Sequence, residues 1–302
     1  MLNFGLVNEF MLLFLHGAYH TASSLLPLIR TNLDLNSQYS DRFLLDNFTI
    51  SIPGYNNLDK SFDIKYLQDL ITEFINTKKE IQSEVAAKLI LAKNKPTILT
   101  LRQPKLSMIG YGAGGALGLT YAANNPDKCE ILVLLDLGIK LDGLKYWFKK
   151  RRTDKLLKAN LLTIQKQFDL TQDLADKQFL ALLMENTSRK GVRSYLDFAY
   201  NFDFREIHSN LTIAQQHSFA KLYILDLLPQ HNSLTTKRSL KALEKLIHPK
   251  NTLIHKKHTV INTAKTGEAN FEYEYLAGTK DRLFDMTNIA KVNKSIGDFF
   301  RL

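Results

Sequence analysis

The stretch that decides the fold reads LSMIGYGAGGALGLTYAANNPDK and covers residues 106–128. An apolar run enters a glycine-rich turn, and a segment of small residues leaves the turn and stops at Asn124-Asn125-Pro126. This order predicts a buried strand, a sharp turn and a helix packed closely on the sheet, because small residues permit close backbone approach. The run GYGAG has the spacing of the G-x-S-x-G turn that presents a nucleophile, but Gly112 occupies the middle position.

Strand and helix patterns alternate on both sides of this turn. Upstream, the patterns predict a buried strand at 10–15 and a long helix at 64–93. Between them, the stretch 48–59 is predicted to be a second strand that ends in Pro53-Gly54 and a polar loop. Downstream, strand patterns follow at CEILVLLDLG (129–138), AKLYILDLLP (220–229) and NFEYEYLAG (270–278), and a closing helix at NIAKVNKSIGDFFRL. This alternation is typical of a mostly parallel sheet with helices on both faces.

One long segment interrupts the alternation. Residues 139–218 contain no apolar strand run and consist of polar helical segments, one of which extends without a break from Gly143 to Gln167. Such a segment between two strands predicts an inserted helical cap. We therefore predict a core formed by residues 1–138 and 219–302 and a cap formed by residues 139–218.

Composition narrows the function classes. The chain has 302 residues, 45% of them hydrophobic, and a net charge of +10. No aromatic-studded nucleic-acid motif is found, so we expect no nucleic-acid partner. Cys129 is the only cysteine, which fits a reducing compartment. The apolar run 10–15 is too short to span a bilayer, and no cation precedes Arg30, so we expect no signal peptide.

The order of elements resembles the α/β-hydrolase superfamily with a cap. His16-Gly17 resembles its HG oxyanion segment, Pro53-Gly54 its PG turn, and residues 110–114 its G-x-S-x-G turn. The resemblance implies an α/β fold with a doubly wound, mostly parallel sheet and a pocket above the turn. Oxyanion binding there would use backbone N–H groups of Ala18 and Ala113. The residues that we expect at this pocket are His16, Gly17, Ala18, Tyr111 and Ala113.

The catalytic groups that this superfamily needs are not intact in the sequence. Acyl transfer requires a side-chain oxygen or sulfur activated by a base, and Gly112 has no side chain. The resemblance implies a histidine after the last strand, where this chain has Thr279 or Lys280. Asp226 is a candidate acid at a strand end. The sequence therefore predicts a catalytically degenerate hydrolase.

Glycine at the nucleophile position makes the chain similar to the N-myc downstream-regulated family of inactive α/β-hydrolase-fold proteins. Three stretches carry this resemblance: IGYGAGGALG (109–118), the segment 132–148 with Trp147, and the pair AYN (199–201) and REI (205–207). The resemblance implies a non-enzymatic interaction or signalling protein that works in the cytoplasm through protein partners. It also leaves a pocket that could hold a small apolar ligand.

Alternatives stay open at this level. A hydrolase or lyase could act without serine on a small ester or lipid-like substrate, with His20 or His231 as the base for a bound water. A serine enzyme altered at position 112 is a further interpretation. The histidine spacings do not form a zinc motif, and we expect no metal and no cofactor.

The cap entrance carries a basic aromatic run, KYWFKKRR (145–152). It is either a solvated helix face or a contact surface for a protein partner or an anionic membrane. The candidate contact residues are Trp147, Lys149, Lys150, Arg151 and Arg152.

Overall fold

The computed structural model describes residues 10–30, 45–52, 55, 62–93, 106–135, 144–172, 174–185, 188–209, 221–226, 261–262, 271–275, 289–290, 292–294 and 296. The strands are β1 (Phe10–Leu15), β2 (Leu45–Thr49), β3 (Leu106–Tyr111), β4 (Cys129–Leu135), β5 (Lys221–Asp226), β6 (Ile261–Asn262) and β7 (Phe271–Tyr275). The helices are α1 (Ile64–Lys93), α2 (Ala113–Asn124), α3 (Leu144–Lys158), α4 (Leu161–Leu170), α5 (Leu174–Met184), α6 (Arg189–Asn201) and α7 (Phe204–Ser209). A 3-10 helix lies at Ala22–Leu25.

The strands form one sheet in the order β2-β1-β3-β4-β5-β7-β6. Every pairing is parallel except that of β6 with β7. The chain reverses direction across the sheet between β2 and β3, so β1 and β3 are neighbours in its interior. Sites in such sheets form beyond the carboxyl ends of the central strands, which here are the ends of β1, β3 and β4.

Alternate side chains of β1 enter two separate apolar clusters. Leu12 and Phe14 pack with Ile289, Val292 and Ile296 of the closing helical segment on one face. On the other face, β1 packs against α1, α2 and the helices that follow β4 through Met11, Leu13 and Leu15. Both faces of this strand are therefore buried, which explains why its sequence is a continuous apolar run rather than an alternating one.

Most element predictions agree with the structure, and two differ. The second strand ends at Thr49 instead of continuing to Pro53-Gly54, a pair that lies outside the described residues. The helical segment predicted from Gly143 to Gln167 is two helices, because α3 ends at Lys158 and Asn160 caps the start of α4 by accepting a hydrogen bond from Thr163 N at 2.9 Å.

The region between β4 and β5 contributes α3, α4, α5, α6 and α7 and no strand within its described part. The predicted bounds at 138/139 and 218/219 fall in segments outside the description, so they stay predictions. Among the described residues, no helix combines the length and the apolar character that crossing a membrane would need.

Candidate functional site

The turn between β3 and α2 has the backbone conformation of a nucleophile turn. Gly112 has φ 52° and ψ −116°, and α2 begins at the next residue, Ala113. Its N–H donates to Leu135 O of β4 at 2.9 Å, while its carbonyl accepts from Gly115 N at 2.9 Å. Residues with a Cβ rarely adopt this positive φ, so glycine relieves strain that serine would have to bear.

The flanking glycines are required by backbone contacts. A Cβ on Gly110 would lie 2.5 Å from Gly115 Cα, and a Cβ on Gly114 would overlap the carbonyl oxygen of Leu15. Both obstacles are backbone atoms, which cannot rotate away as a side chain can. The glycines at 110 and 114 therefore hold α2 against the ends of β1 and β3, as the sequence predicted.

The space above Gly112 is open. A Cβ built on this residue would meet no atom within 4 Å, in contrast to the crowded positions on either side. The backbone N–H groups of Ala18 and Ala113 donate to no acceptor in the part of the chain that the structure describes. The turn therefore has open space above Gly112, two nearby N–H groups without a described acceptor, and no side-chain atom at position 112.

His16, at the end of β1, is fully buried and bound on both sides by backbone. Its Nδ1 donates to Gly17 O at 3.0 Å, and its Nε2 accepts from Ile52 N at 3.3 Å. These partners require the neutral ring with its proton on Nδ1. Burial lowers the pKa of His16 from 6.5 to about 4, although hydrogen bonds with the Gly17 and His20 backbone oppose the shift. His16 thus positions the segment after β1 and is not arranged as a catalytic base.

Two buried tyrosines hold the carbonyls of the same segment. Tyr195 of α6 donates its hydroxyl to His16 O at 2.8 Å, and Tyr55 donates to Ala18 O at 2.5 Å. Burial raises the pKa of both hydroxyls well above 10, so both stay protonated donors. The carbonyls of His16 and Ala18 are therefore held by the tyrosines, while that of Gly17 accepts from His16 Nδ1 and from the His20 backbone N–H.

A third tyrosine connects this segment to the helices that follow β4. The Tyr19 hydroxyl lies 2.8 Å from the Tyr200 hydroxyl and 3.2 Å from Thr153 Oγ1. Its ring packs edge-on against Phe179 of α5, with 4.7 Å between centroids. No local sequence pattern marks Tyr19, Tyr55 and Tyr195, because their partners lie 37 or more residues away in the chain.

Of the two candidate bases, the structure describes only His20. His20 is buried, and its backbone N–H donates to Gly17 O at 3.1 Å. The centroid of its imidazole ring lies 5.1 Å from that of the Tyr111 ring at the end of β3. Gly17 lies close to Tyr111, since a Cβ on Gly17 would lie 3.0 Å from Tyr111 O. That His16, Gly17, Ala18, Tyr111 and Ala113 together form a ligand pocket stays a prediction.

The other predicted catalytic positions stay predictions. Thr279, Lys280 and His231 lie outside the described residues, and for Asp226 only the backbone at the end of β5 is described. In the described ranges, no three histidine, cysteine or carboxylate side chains converge as metal ligands.

The candidate contact residues all lie on α3. Trp147 and Phe148 are exposed, and Arg151 stacks its guanidinium 5.2 Å from the Trp147 ring centroid. Lys150 lies 3.6 Å from Asp197, and Arg152 forms an ion pair with Asp176 at 3.0 Å. Lys149 is on the same helix, and its side chain is outside the description.

Comparisons with known proteins identify the fold and nothing finer. No protein-family profile matches the chain, and no curated protein matches it. Among solved structures, it is similar to an enol-lactonase from Burkholderia xenovorans LB400 with a TM-score of 0.60 at 12% identity, over 98% of this chain and 92% of the other. A marine microorganism esterase aligns with a TM-score of 0.59 at 12% identity, over 96% and 95% of the two chains.

A carboxylesterase of the thaumarchaeon Nitrososphaera gargenis aligns over 98% of this chain and 89% of its own, with a TM-score of 0.53 at 14% identity. The alignments run through the sheet and the helices on both sides of the turn at Gly112. The chain has the α/β-hydrolase fold. Identities this low establish the fold alone, so the resemblance to the N-myc downstream-regulated family remains an expectation from sequence.

Proposed function

We propose that this protein is a catalytically degenerate α/β-hydrolase-fold protein that acts by binding and not by serine-dependent acyl transfer. The observation that carries the proposal is Gly112, where the turn keeps its positive φ and open space but offers neither oxygen nor sulfur. Acyl transfer on this fold requires such an atom. In the cell, we propose a non-enzymatic interaction or signalling role of the N-myc downstream-regulated type. The protein would act in the cytoplasm through protein partners.

The ligand class follows from what the turn still presents. Two N–H donors, at Ala18 and Ala113, are suited to a carbonyl oxygen, and the surroundings are mainly apolar. The solved structures with this fold are named esterases and an enol-lactonase. We therefore propose a small apolar ligand with an ester or similar carbonyl group, bound above Gly112 without a covalent bond.

The first test is labelling by a fluorophosphonate probe, which reacts with activated serine. We expect no labelling of the wild-type protein and no burst of product with 4-nitrophenyl esters, because position 112 has no nucleophile. Equilibrium dialysis with a short-chain ester should give saturable binding, and the ester should be recovered intact. The matched variant Gly112→Ser separates the missing atom from the rest of the site, since its Cβ has open space.

Labelling of the wild-type protein would overturn the proposal, since it would reveal another activated hydroxyl. Labelling of Gly112→Ser alone would mean that the base and the oxyanion donors are still in place and only the nucleophile is lost. If neither protein is labelled, a second loss at the histidine position, Thr279 or Lys280, is the explanation that the sequence offers.

Hydrolysis without serine is the second candidate function, favoured by the esterases that share the fold and by His20. In this scheme a water attacks the ester carbonyl and transfers a proton to the imidazole. The oxyanion is held by N–H donors, and the imidazole returns the proton to the departing alkoxide. His20 is the described histidine that lies beside Tyr111, the residue before Gly112.

This second candidate predicts turnover that a fluorophosphonate does not inhibit. His20→Gln should lower kcat about hundredfold or more, the usual size of a general-base contribution. The control is Tyr111→Phe, which keeps the ring beside His20. Turnover that is unchanged in His20→Gln would exclude His20 as the base and make His231 the remaining candidate.

A further inference from the structure

We propose that the exposed face of α3 and the start of α4 bind the surface of an anionic phospholipid bilayer. The face, called here the basic–apolar surface, consists of Trp147, Phe148, Arg151, Arg152, Lys155, Lys158, Leu161 and Leu162. This inference is independent of what occupies the site at Gly112. Three observations carry it: where large apolar side chains are exposed, where positive charge is concentrated, and how the two alternate on one helix.

Exposed large apolar side chains are concentrated on these two helices. Within the described ranges, seven large hydrophobic residues are exposed, and five of them belong to α3 or α4. Their exposed fractions are 52% for Trp147, 57% for Phe148, 58% for Leu161, 76% for Leu162 and 82% for Leu170. Single exposed leucines need no explanation, but a cluster on consecutive helices marks a contact surface.

The same segment holds more than half of the net positive charge of the chain. Residues 144–170 contain eight lysines and arginines against two aspartates, a net of +6 in a chain whose net charge is +10. Asp154 pairs with Arg193 of α6, and Asp169 lies at the far end of α4 from Leu161 and Leu162. Anionic lipid headgroups attract such clusters of cations.

Helical spacing places these cations beside the aromatic rings. Trp147, Arg151, Lys155 and Lys158 follow at intervals of four, four and three residues, so they form one stripe. The opposite side of α3 is buried through Thr153, Leu156 and Leu157. Because that side of α3 is packed into the core, α3 cannot rotate to bury the stripe. The stripe therefore stays on the outer face, where a partner can reach it.

The cations on this stripe form no ion pair with the described part of the chain. Arg151 stacks on Trp147, and neither Lys155 nor Lys158 has an ion-pair partner among the described residues. Arg152, next to the stripe, is the member that pairs, with Asp176. Long basic side chains can reach headgroup phosphates while their methylene groups lie along neighbouring apolar residues.

The mixture of side chains favours a bilayer over an acidic protein or a nucleic acid. Leu161 and Leu162 would gain nothing from a phosphate backbone, whereas they can enter the acyl boundary of a membrane. Trp and Phe prefer the headgroup level, and Lys and Arg pair with anionic lipid. A protein partner would need a surface shaped to fit two protruding helix faces, and a fluid bilayer needs no such fit.

Trp147 is the only tryptophan of the chain, so its fluorescence reports on this surface alone. The experiment adds vesicles of phosphatidylcholine, with or without phosphatidylserine, to the full-length protein at low salt. We expect a blue shift and co-sedimentation only with phosphatidylserine, and quenching by lipids brominated on the acyl chains. High salt should weaken the binding, because it screens the charges.

Two double variants of equal charge change make the test specific. Lys155→Glu/Lys158→Glu should lower the vesicle partition coefficient at least about tenfold, given the usual contribution of each cation near a charged bilayer. Lys65→Glu/Lys294→Glu alters exposed lysines on other elements by the same four charge units and should bind nearly as the wild type does. Phe148→Ser/Leu162→Ser should reduce the quenching by brominated lipid while keeping Trp147 as the reporter.

Several outcomes would overturn the proposal. They are the absence of a blue shift with phosphatidylserine vesicles, a loss of binding in both charge variants alike, and a blue shift without quenching by brominated chains. An equal response to heparin in solution, without any insertion into vesicles, would point to a soluble polyanion or an acidic protein and would also reject the bilayer.

Discussion

Replacing Gly114 with alanine is expected to destabilise the protein more than any other single methyl group that could be added at the turn. The new Cβ would overlap Leu15 O and lie 2.6 Å from Leu15 C, at the end of a strand paired on both sides. Neither atom can move without shifting β1 or α2. We expect the free energy of unfolding to fall by about 4 kcal/mol or more, a loss at the upper end of overpacking effects.

The measurement is the urea midpoint followed by circular dichroism, with two alanine controls at neighbouring glycines. Gly118→Ala meets a movable side chain, Leu132 Cδ1 at 3.0 Å, and gains helix propensity, so its midpoint should change little. Gly112→Ala meets no atom within 4 Å and should cost only about 1–2 kcal/mol for its positive φ. If Gly114→Ala unfolds at the wild-type midpoint, the close approach of α2 to β1 is incorrect. If the Gly114→Ala protein is too unstable to purify, that result agrees with the predicted destabilisation. Its soluble yield is then compared with that of Gly118→Ala in place of the urea midpoint.

Acid should destabilise the protein through His16. Burial places the pKa of His16 at about 4 in the folded state, against 6.5 in the unfolded chain. Between these two values the unfolded chain binds the extra proton, so stability is greatest above pH 6.5 and falls as the pH decreases toward 4. A difference of this size corresponds to about 3 kcal/mol, which is lost in full only once the pH is below the folded pKa of about 4.

His16→Gln provides the comparison for this prediction. Glutamine does not titrate, so the variant should lack this part of the pH dependence between 6.5 and 4, whatever its stability at neutral pH. Unfolding free energies at several pH values in both proteins give the two slopes. An NMR titration gives independent evidence, because one of the eight histidines should stay neutral down to about pH 4 and its resonance should vanish in the variant. Equal slopes, or an imidazole at position 16 that titrates near 6.5, would contradict the burial of His16.

Much of the fold could be predicted because its strongest signals are local. β1, β3 and β4 are continuous apolar runs, and such runs are what two buried faces require. The bounds of α1 and α2 followed from long helical patterns and from the stop at Asn124. β6, a strand of two residues that pairs with β7, was not predicted, because so short an element has no period to recognise.

Part of the candidate site was likewise predicted from the sequence, and part was not. The turn at Gly112 was predicted from glycine spacing alone, because close backbone contacts at such a turn exclude side chains and only glycine has none. His16 was expected at the pocket from its place in the HG segment, but its neutral, backbone-bound state was not foreseen. That state depends on Ile52 N, which lies 36 residues away, and on full burial.

The sequence by itself determined that no oxygen or sulfur stands at position 112, because side-chain chemistry is a property of the residue and does not depend on packing. It also determined the glycines that let α2 approach β1. Only the tertiary structure decided that Tyr55 and Tyr195 fix the carbonyls of Ala18 and His16 and that the outer stripe of α3 is exposed. The physical reason is distance along the chain: hydrogen bonds between remote segments, and the burial that shifts a pKa, exist only after the chain has folded.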